Sequence, residues 1–166
     1  MPFASGVGRL ALAAALLSCV GFTLVQAASP QAAQIKPRQD KLRDMGGALK
    51  AITDELKKPK VDWDNVIIPN TQTIKDRSAY LLNWFPKGSG PETGKKTYAL
   101  PAIWQKNDDF QKLGKAAQAE AAKLNDIALK KDEAGLKAQA LATGKACKAC
   151  HDNYRSPDYE KENEDE

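Results

Sequence analysis

Five consecutive residues near the C-terminus constrain the fold of this chain more than any other feature: Cys147-Lys148-Ala149-Cys150-His151. On an α-helix, residues three and four positions apart lie on one face, so Cys147, Cys150 and His151 can reach the same flat ligand. The pattern Cys-x-x-Cys-His is the attachment signature of c-type haem, in which two thiols bind the vinyl groups and the imidazole binds the iron. The sequence therefore predicts one covalent haem c, held by Cys147 and Cys150, with His151 as the metal ligand.

Two other uses of a Cys-x-x-Cys sequence fit this chain poorly. A redox-active cysteine pair is typical of chains with a βαβ pattern, which is not visible here. A structural zinc site needs four cysteine or histidine ligands. The 166 residues contain three cysteines and one histidine, His151, and the third cysteine, Cys19, lies in an N-terminal apolar segment. These counts favour haem attachment.

The N-terminal segment, residues 1–28, has the features of a cleaved export signal. Arg9 supplies positive charge, the residues that follow it as far as Leu17 are all leucine or alanine, and small residues stand at the end of the segment. Two alternatives stay open: a retained membrane anchor, and lipoprotein processing at Cys19. Export agrees with the haem motif, because thioether attachment in bacteria takes place outside the cytoplasm. We therefore expect a periplasmic protein.

The mature chain, residues 29–157, has the pattern of four helices. They are expected at about 34–57, 62–85, 101–128 and 132–154. Apolar residues of the first helix recur mostly at intervals of three and four, which indicates a seam that faces a helical bundle. Short connections between the first two and the last two helices favour antiparallel neighbours. The predicted fold class is all-α, an antiparallel up-down four-helix bundle with covalently attached haem.

Several local signals refine this prediction. Asp62 is a suitable N-cap for the second helix, and Pro69 is expected to kink that helix or delay its start. Proline and glycine residues in the stretch 86–100 predict an irregular but ordered loop. The pair Gly46-Gly47 lowers the helix propensity of the first helix, and a close approach of another backbone or of the haem would explain it.

The distribution of charge along the chain argues against nucleic acid as a partner. Without Arg9 the chain has 24 basic and 21 acidic residues with the two signs interspersed. We therefore expect a solvated surface and no nucleic-acid binding. The exception is the stretch 158–166, in which six of nine residues are acidic. This composition predicts a flexible, solubilising tail.

Four short segments carry a resemblance to one family. They are CKACHDNYR at 147–155, IKPRQ at 35–39, WFPKGS at 84–89 and PAIW at 101–104. In this order they resemble the cytochrome c′ family, the class II cytochromes c, which place the haem motif near the C-terminus of a four-helix bundle. The resemblance covers essentially the whole mature chain, and its first motif is highly specific for haem attachment.

The resemblance implies roles for individual residues. Cys147 and Cys150 would hold the vinyl groups, and His151 would be the proximal ligand. Arg38 would approach a haem propionate, which a guanidinium can bind in a bidentate manner, or would be a solvated charge. Arg155 would lie beside the proximal face, where it could meet a ligand that enters from that side. The alternative is a surface arginine favoured by the C-terminal helix dipole.

The sixth coordination position decides the function. Leu42 matches the family position that points at the distal side of the iron, where low-spin relatives carry a methionine ligand. Leucine has no donor atom, so the resemblance implies a five-coordinate iron with an apolar pocket that disfavours water and anions. Met45 is the alternative sixth ligand, since Met/His ligation occurs in many cytochromes c. It would otherwise be a core residue.

These expectations favour a periplasmic haem protein that binds NO and CO at a five-coordinate high-spin iron and transfers single electrons to an unknown redox partner. The alternative is a six-coordinate, low-spin electron carrier with Met45 as ligand. We expect no enzyme, because Leu42 offers no polar distal group. The family commonly forms homodimers through its first two helices, and we expect one here. Trp63, Val66 and Ile67 would form the apolar interface or fill the core of their own bundle.

Overall fold

The computed structural model describes residues 29–162, so the predicted signal segment and residues 163–166 lie outside the described part. Its helices are α1 (Ile35–Glu55), α2 (Ile68–Ser78), α3 (Ala102–Gln105), α4 (Asn107–Leu129), α5 (Glu133–Tyr154) and α6 (Asp158–Glu162). Shorter helical turns cover Ala32–Gln34, Trp63–Ile67, Leu81–Trp84 and Pro91–Thr93. Among residues 29–162, no helix is both long and apolar enough to cross a membrane.

Helices α1, α2, α4 and α5 form an antiparallel bundle. Two contacts along each pair give the antiparallel directions: Asp44–Arg77 and Glu55–Asp62 for α1 and the segment that contains α2, Thr71–Asn125 and Ser78–Gln118 for α2 and α4, and Asp109–Tyr154 and Glu120–Gln139 for α4 and α5. Residues from all four helices make up the core. Its most deeply buried large apolar members are Ile52, Ile67, Ile74, Leu124 and Leu136. The predicted all-α four-helix bundle is therefore confirmed.

Side-chain caps begin two of these helical segments. The Asp62 carboxylate accepts a hydrogen bond from the Asn65 N–H at 3.0 Å, as its position in the sequence predicts. The Asp132 carboxylate accepts one from the Gly135 N–H at 3.0 Å at the start of α5. Pro69 lies in the first turn of α2, directly after a π-helical turn, so this helix begins later than residue 62.

Two predicted helices are interrupted. The second ends at Ser78 and is followed by a 3₁₀ turn, in which Leu81 and Trp84 are both buried. A 3₁₀ turn aligns residues three apart, so both side chains can enter the core together. The third is divided at Lys106, where the Asn107 side chain donates a hydrogen bond to the carbonyl oxygen of Ile103. Such a bond competes with the helical backbone ladder.

The acidic C-terminal segment differs from the sequence prediction. Its first five described residues form α6 instead of a flexible tail. The Tyr159 ring packs edge-to-face on Tyr98 with 5.2 Å between centroids, and the Tyr98 hydroxyl donates to Glu162 at 2.8 Å. These partners are about 60 residues away in sequence, and composition alone does not reveal them.

The residues considered for a homodimer interface have different environments. Ile67 is fully buried inside its own protomer, so it belongs to the bundle core and not to an interface. Trp63 is half-buried against the same core, and Val66 is also half-buried. The homodimer itself stays a prediction.

Three glycines differ in their surroundings. A Cβ atom at Gly46 or Gly47 would meet nothing within 4 Å among the described residues outside the local helix backbone. The expected approach of another backbone is therefore not seen there, and an approach of the haem remains a prediction. At Gly114 on α4, by contrast, a Cβ would lie 2.3 Å from Leu82 Cδ2.

We expect the same substitution to have opposite effects at two of these positions. Gly47→Ala should raise the free energy of unfolding by about 0.5–1 kcal/mol, because alanine has the higher helix propensity. Gly114→Ala should lower it by about 0.5–2 kcal/mol, because overpacking against Leu82 costs about 1–3 kcal/mol and outweighs the propensity gain of about 0.5–1 kcal/mol. Denaturant unfolding of the holoprotein measures both. A destabilising Gly47→Ala would mean that another molecule lies against this side of α1.

Candidate functional site

The haem-motif residues lie on one face of α5, close to its C-terminal end. Because α5 is helical throughout Glu133–Tyr154, Cys147, Cys150 and His151 keep the spacing of three and four residues that the sequence predicts. Both thiols are free, and all three side chains are half-buried. Cys150 packs against an apolar cluster built around Phe110.

The thiols are not of the reactive kind. Burial raises the pKa of Cys147, and burial together with the charges of Cys147 and Asp109 raises the pKa of Cys150 to about 11. Redox-active and nucleophilic cysteines need a lowered pKa, so a redox pair is disfavoured. Within residues 29–162, no group of three or more His, Cys, Asp or Glu side chains is arranged to hold a metal ion.

His151 is held in the form that binds metals. Burial, and then the charge of Arg155, lower the pKa of His151 to about 4. The imidazole is therefore neutral at pH 7, as a metal ligand must be. Two protonated thiols and one neutral imidazole on a single face fit a haem that is attached covalently and ligated from one side.

Tyr154 anchors the motif end of α5. Its buried ring packs edge-to-face on Phe110 with 5.3 Å between centroids, and its hydroxyl donates to the Asp109 carboxylate at 2.8 Å. Burial and this hydrogen bond raise the pKa of Tyr154 to about 12, so the hydroxyl remains a donor. The Leu100 N–H also donates to the Tyr154 carbonyl oxygen at 3.0 Å. Asp109 has no sequence signal that would assign it this role.

The register between α1 and α5 follows from one contact. A Cβ at Gly144 on α5 would lie 3.8 Å from Leu49 Cδ2 on α1. Three successive antiparallel pairs make α1 and α5 antiparallel to each other. Because both helices rise equally per residue, Leu42, seven residues before Leu49, is level with His151, seven residues after Gly144.

Leu42 and Met45 differ in their surroundings on α1. Met45 is 9% exposed and belongs to the core cluster that contains Ala48 and Ile52. Leu42 is only half-buried and packs against the edge of the same cluster. Residues three apart lie on the same side of a helix, so the difference between the two side chains is burial: Met45 is packed in the core, and Leu42 lies at its edge.

Arg38, one turn before Leu42, is not a solvated charge. Its side chain is 2% exposed, and its guanidinium lies 4.6 Å from the centre of the Phe85 ring. It donates hydrogen bonds of 3.0–3.3 Å to Trp84 O, Ser89 Oγ, Ser89 O and Thr97 Oγ1.

The charge of Arg38 lacks a direct counterion. Burial lowers the pKa of Arg38 to about 10 and the charge of Glu92 raises it in part, so the guanidinium stays cationic at pH 7. All four hydrogen-bond acceptors are neutral, and no carboxylate among residues 29–162 forms an ion pair with it. A buried cation of this kind is costly unless an anion compensates it. Glu92 supplies part of that compensation, and a haem propionate nearby would add a second anion. Because four of the five N–H groups already donate within the protein, a propionate in direct contact could meet only the remaining one, and the expected bidentate contact does not fit.

Arg155 stands at the end of α5, near His151. Its backbone N–H donates to the His151 carbonyl oxygen at 3.0 Å. Its guanidinium forms an ion pair with Glu160 and lies 4.2 Å from the centre of the Tyr159 ring. The structure thus brings Arg155 together with the three motif residues, whereas Arg38 is joined to the segment that contains Thr97.

We expect Arg38→Met to lower the free energy of unfolding by about 1–3 kcal/mol, because buried acceptors lose their donor. Arg43→Met is the matched control. Arg43 lies on the same helix but is exposed and pairs only with Asp40, so its replacement should change stability by less than about 0.5 kcal/mol. Denaturant unfolding of both holoproteins measures the difference. Equal effects would contradict a structural role for the buried guanidinium.

Comparison with known proteins finds one family. A family model described as Cytochrome C′ matches residues 33–155. The chain is 38% identical over 124 residues to a cytochrome c′ of Rhodopseudomonas palustris, which covers 74% of this chain and 81% of that protein. It is 32% identical over 124 residues to a cytochrome c-556 of Agrobacterium tumefaciens, covering 75% of this chain and 98% of the relative.

A solved structure has a similar fold and a known small-molecule complex. It is the nitric oxide complex of a leucine-to-alanine variant of cytochrome c prime from Alcaligenes xylosoxidans. The TM-score is 0.68 and the sequence identity 27%, and the match covers 77% of this chain and 97% of that chain.

Proposed function

Since the chain belongs to the cytochrome c′ family, whose members carry covalent haem c, we propose that it is a periplasmic protein that binds NO and CO at a five-coordinate, high-spin iron and transfers single electrons. When bound, the haem supplies an iron with one free coordination position and a one-electron couple. The proposed location rests on the export features of residues 1–28 and on the haem motif.

In this proposal each site residue has one task. Cys147 and Cys150 hold the haem covalently, and the neutral imidazole of His151 binds one side of the iron. Arg38 compensates the charge of a propionate with its buried guanidinium. Leu42 forms an apolar wall on the opposite side, which disfavours water and anions and admits small neutral molecules.

The observation on which this proposal depends is the register of α1 against α5. Leu42, which has no donor atom, is level with His151, while Met45 is packed in the core between helices. The nitric oxide complex of the Alcaligenes relative supports the choice of ligand. A six-coordinate carrier would need Met45 to leave the core, so we favour the open site. We propose no enzymatic activity, because Leu42 cannot polarise a bound peroxide.

We expect Leu42→Met to convert the ferrous protein from high spin to low spin, because a thioether then stands level with His151. Its affinity for CO should fall by about tenfold or more, equivalent to a competing interaction of at least about 1.4 kcal/mol. Absorption spectra and CO titration of the holoprotein measure both effects.

Two matched variants serve as controls for this substitution. Leu49→Met lies two turns farther along the same face, and Met45→Leu removes the only methionine of the mature chain. Both should keep the high-spin spectrum and the CO affinity of the unchanged protein. If Met45→Leu instead turned a low-spin protein into a high-spin one, Met45 would be the ligand and the proposed open site would be wrong.

A further inference from the structure

The short C-terminal helix α6 lies beyond the region that the family shares, since the family match ends at residue 155. It is fixed to the segment before α3 by several contacts. Glu162 accepts a hydrogen bond from the Tyr98 hydroxyl and pairs with Lys96. The Ser156 N–H, just before α6, donates to the Tyr98 carbonyl oxygen at 2.7 Å. Helix α6 is thus anchored on the body of the protein.

The same helix holds Arg155 from two sides. Glu160 pairs with one end of the guanidinium, and the Tyr159 ring lies 4.2 Å from its central carbon. The Tyr159 ring is itself braced edge-to-face by Tyr98 at 5.2 Å. An arginine side chain without partners samples many rotamers, whereas an ion pair combined with a cation–π contact restricts it to one position.

Arg155 follows His151 by four residues, about one turn of helix, at the end of α5. The backbone hydrogen bond from Arg155 to the His151 carbonyl oxygen joins the two residues across the last turn of α5. Groups around a ligating histidine that are not themselves ligands are known to tune the metal.

We propose that α6 is a positioning element for Arg155: Tyr159 and Glu160 hold its guanidinium beside His151 and thereby fix the charge that acts on this side of the iron. The inference rests on the proposed function in one respect, the ligation of the iron by His151. It assigns to Tyr159 and Glu160 the role of positioning residues, because they act on the iron only through Arg155.

The test is the midpoint reduction potential of the holoprotein, which is measured without any gas. Tyr159→Leu removes no charge but removes the ring that holds one side of Arg155. The guanidinium can then move into solvent, away from the iron, and the reduction potential should fall. Glu160→Gln leaves the guanidinium on the Tyr159 ring without its counterion, so the potential should rise. Positive charge near an iron favours its reduced form, which gives both directions.

Three comparisons make this test specific. Tyr80→Leu is the matched control, because Tyr80 is 64% exposed and far from α6 in the sequence, and it should leave the potential unchanged. In an Arg155→Leu background, Tyr159→Leu should cause no shift. Asp158→Asn removes a charge from α6 without touching Arg155, and should shift the potential less than Glu160→Gln does.

The proposal is overturned if Tyr159→Leu leaves the potential unchanged, or if its shift persists after Arg155 has been replaced. It is also overturned if Tyr80→Leu produces the same shift. Glu160 is exposed and Tyr159 is half-buried, so thermal unfolding of each variant is measured to establish that the fold is retained. Failure of the proposed function has a different signature: the unchanged protein would not bind CO, whatever the potentials of the variants.

Discussion

The pairing of α1 with α5, in which Leu49 faces Gly144, gives the register on which the site depends. The antiparallel directions of the two helices then bring Leu42 level with His151. The same register brings Arg38, one turn before Leu42, level with the end of α5 at Arg155. A shift of one turn would present another side chain of α1 to the iron and change the coordination chemistry.

Local spacing explains why much of the fold could be predicted from the sequence. The repeat of apolar residues along α1 and the spacing of Cys147, Cys150 and His151 on α5 are properties of a single helix, which depend on the 3.6-residue turn alone. The short connections predicted that the first two helices, and the last two, are antiparallel neighbours, and the structure confirms this. The five consecutive residues 147–151 likewise indicated that the site binds a covalently attached haem.

Contacts between distant segments account for what the sequence did not reveal. The acceptors of Arg38 lie 46 to 59 residues away, so its burial among neutral acceptors could not be read from its own surroundings. The bond between Asp109 and Tyr154 and the docking of α6 on Tyr98 are of the same kind. In each case a polar side chain that looks solvated in the sequence is given a partner by the tertiary fold.

The most direct measurement is the absorption spectrum of the purified holoprotein, ferric and ferrous, before and after addition of CO and NO. We expect a high-spin ferrous spectrum that changes readily when either gas is added. A low-spin ferrous spectrum that resists CO would contradict this expectation, because a protein side chain would then occupy the position opposite His151.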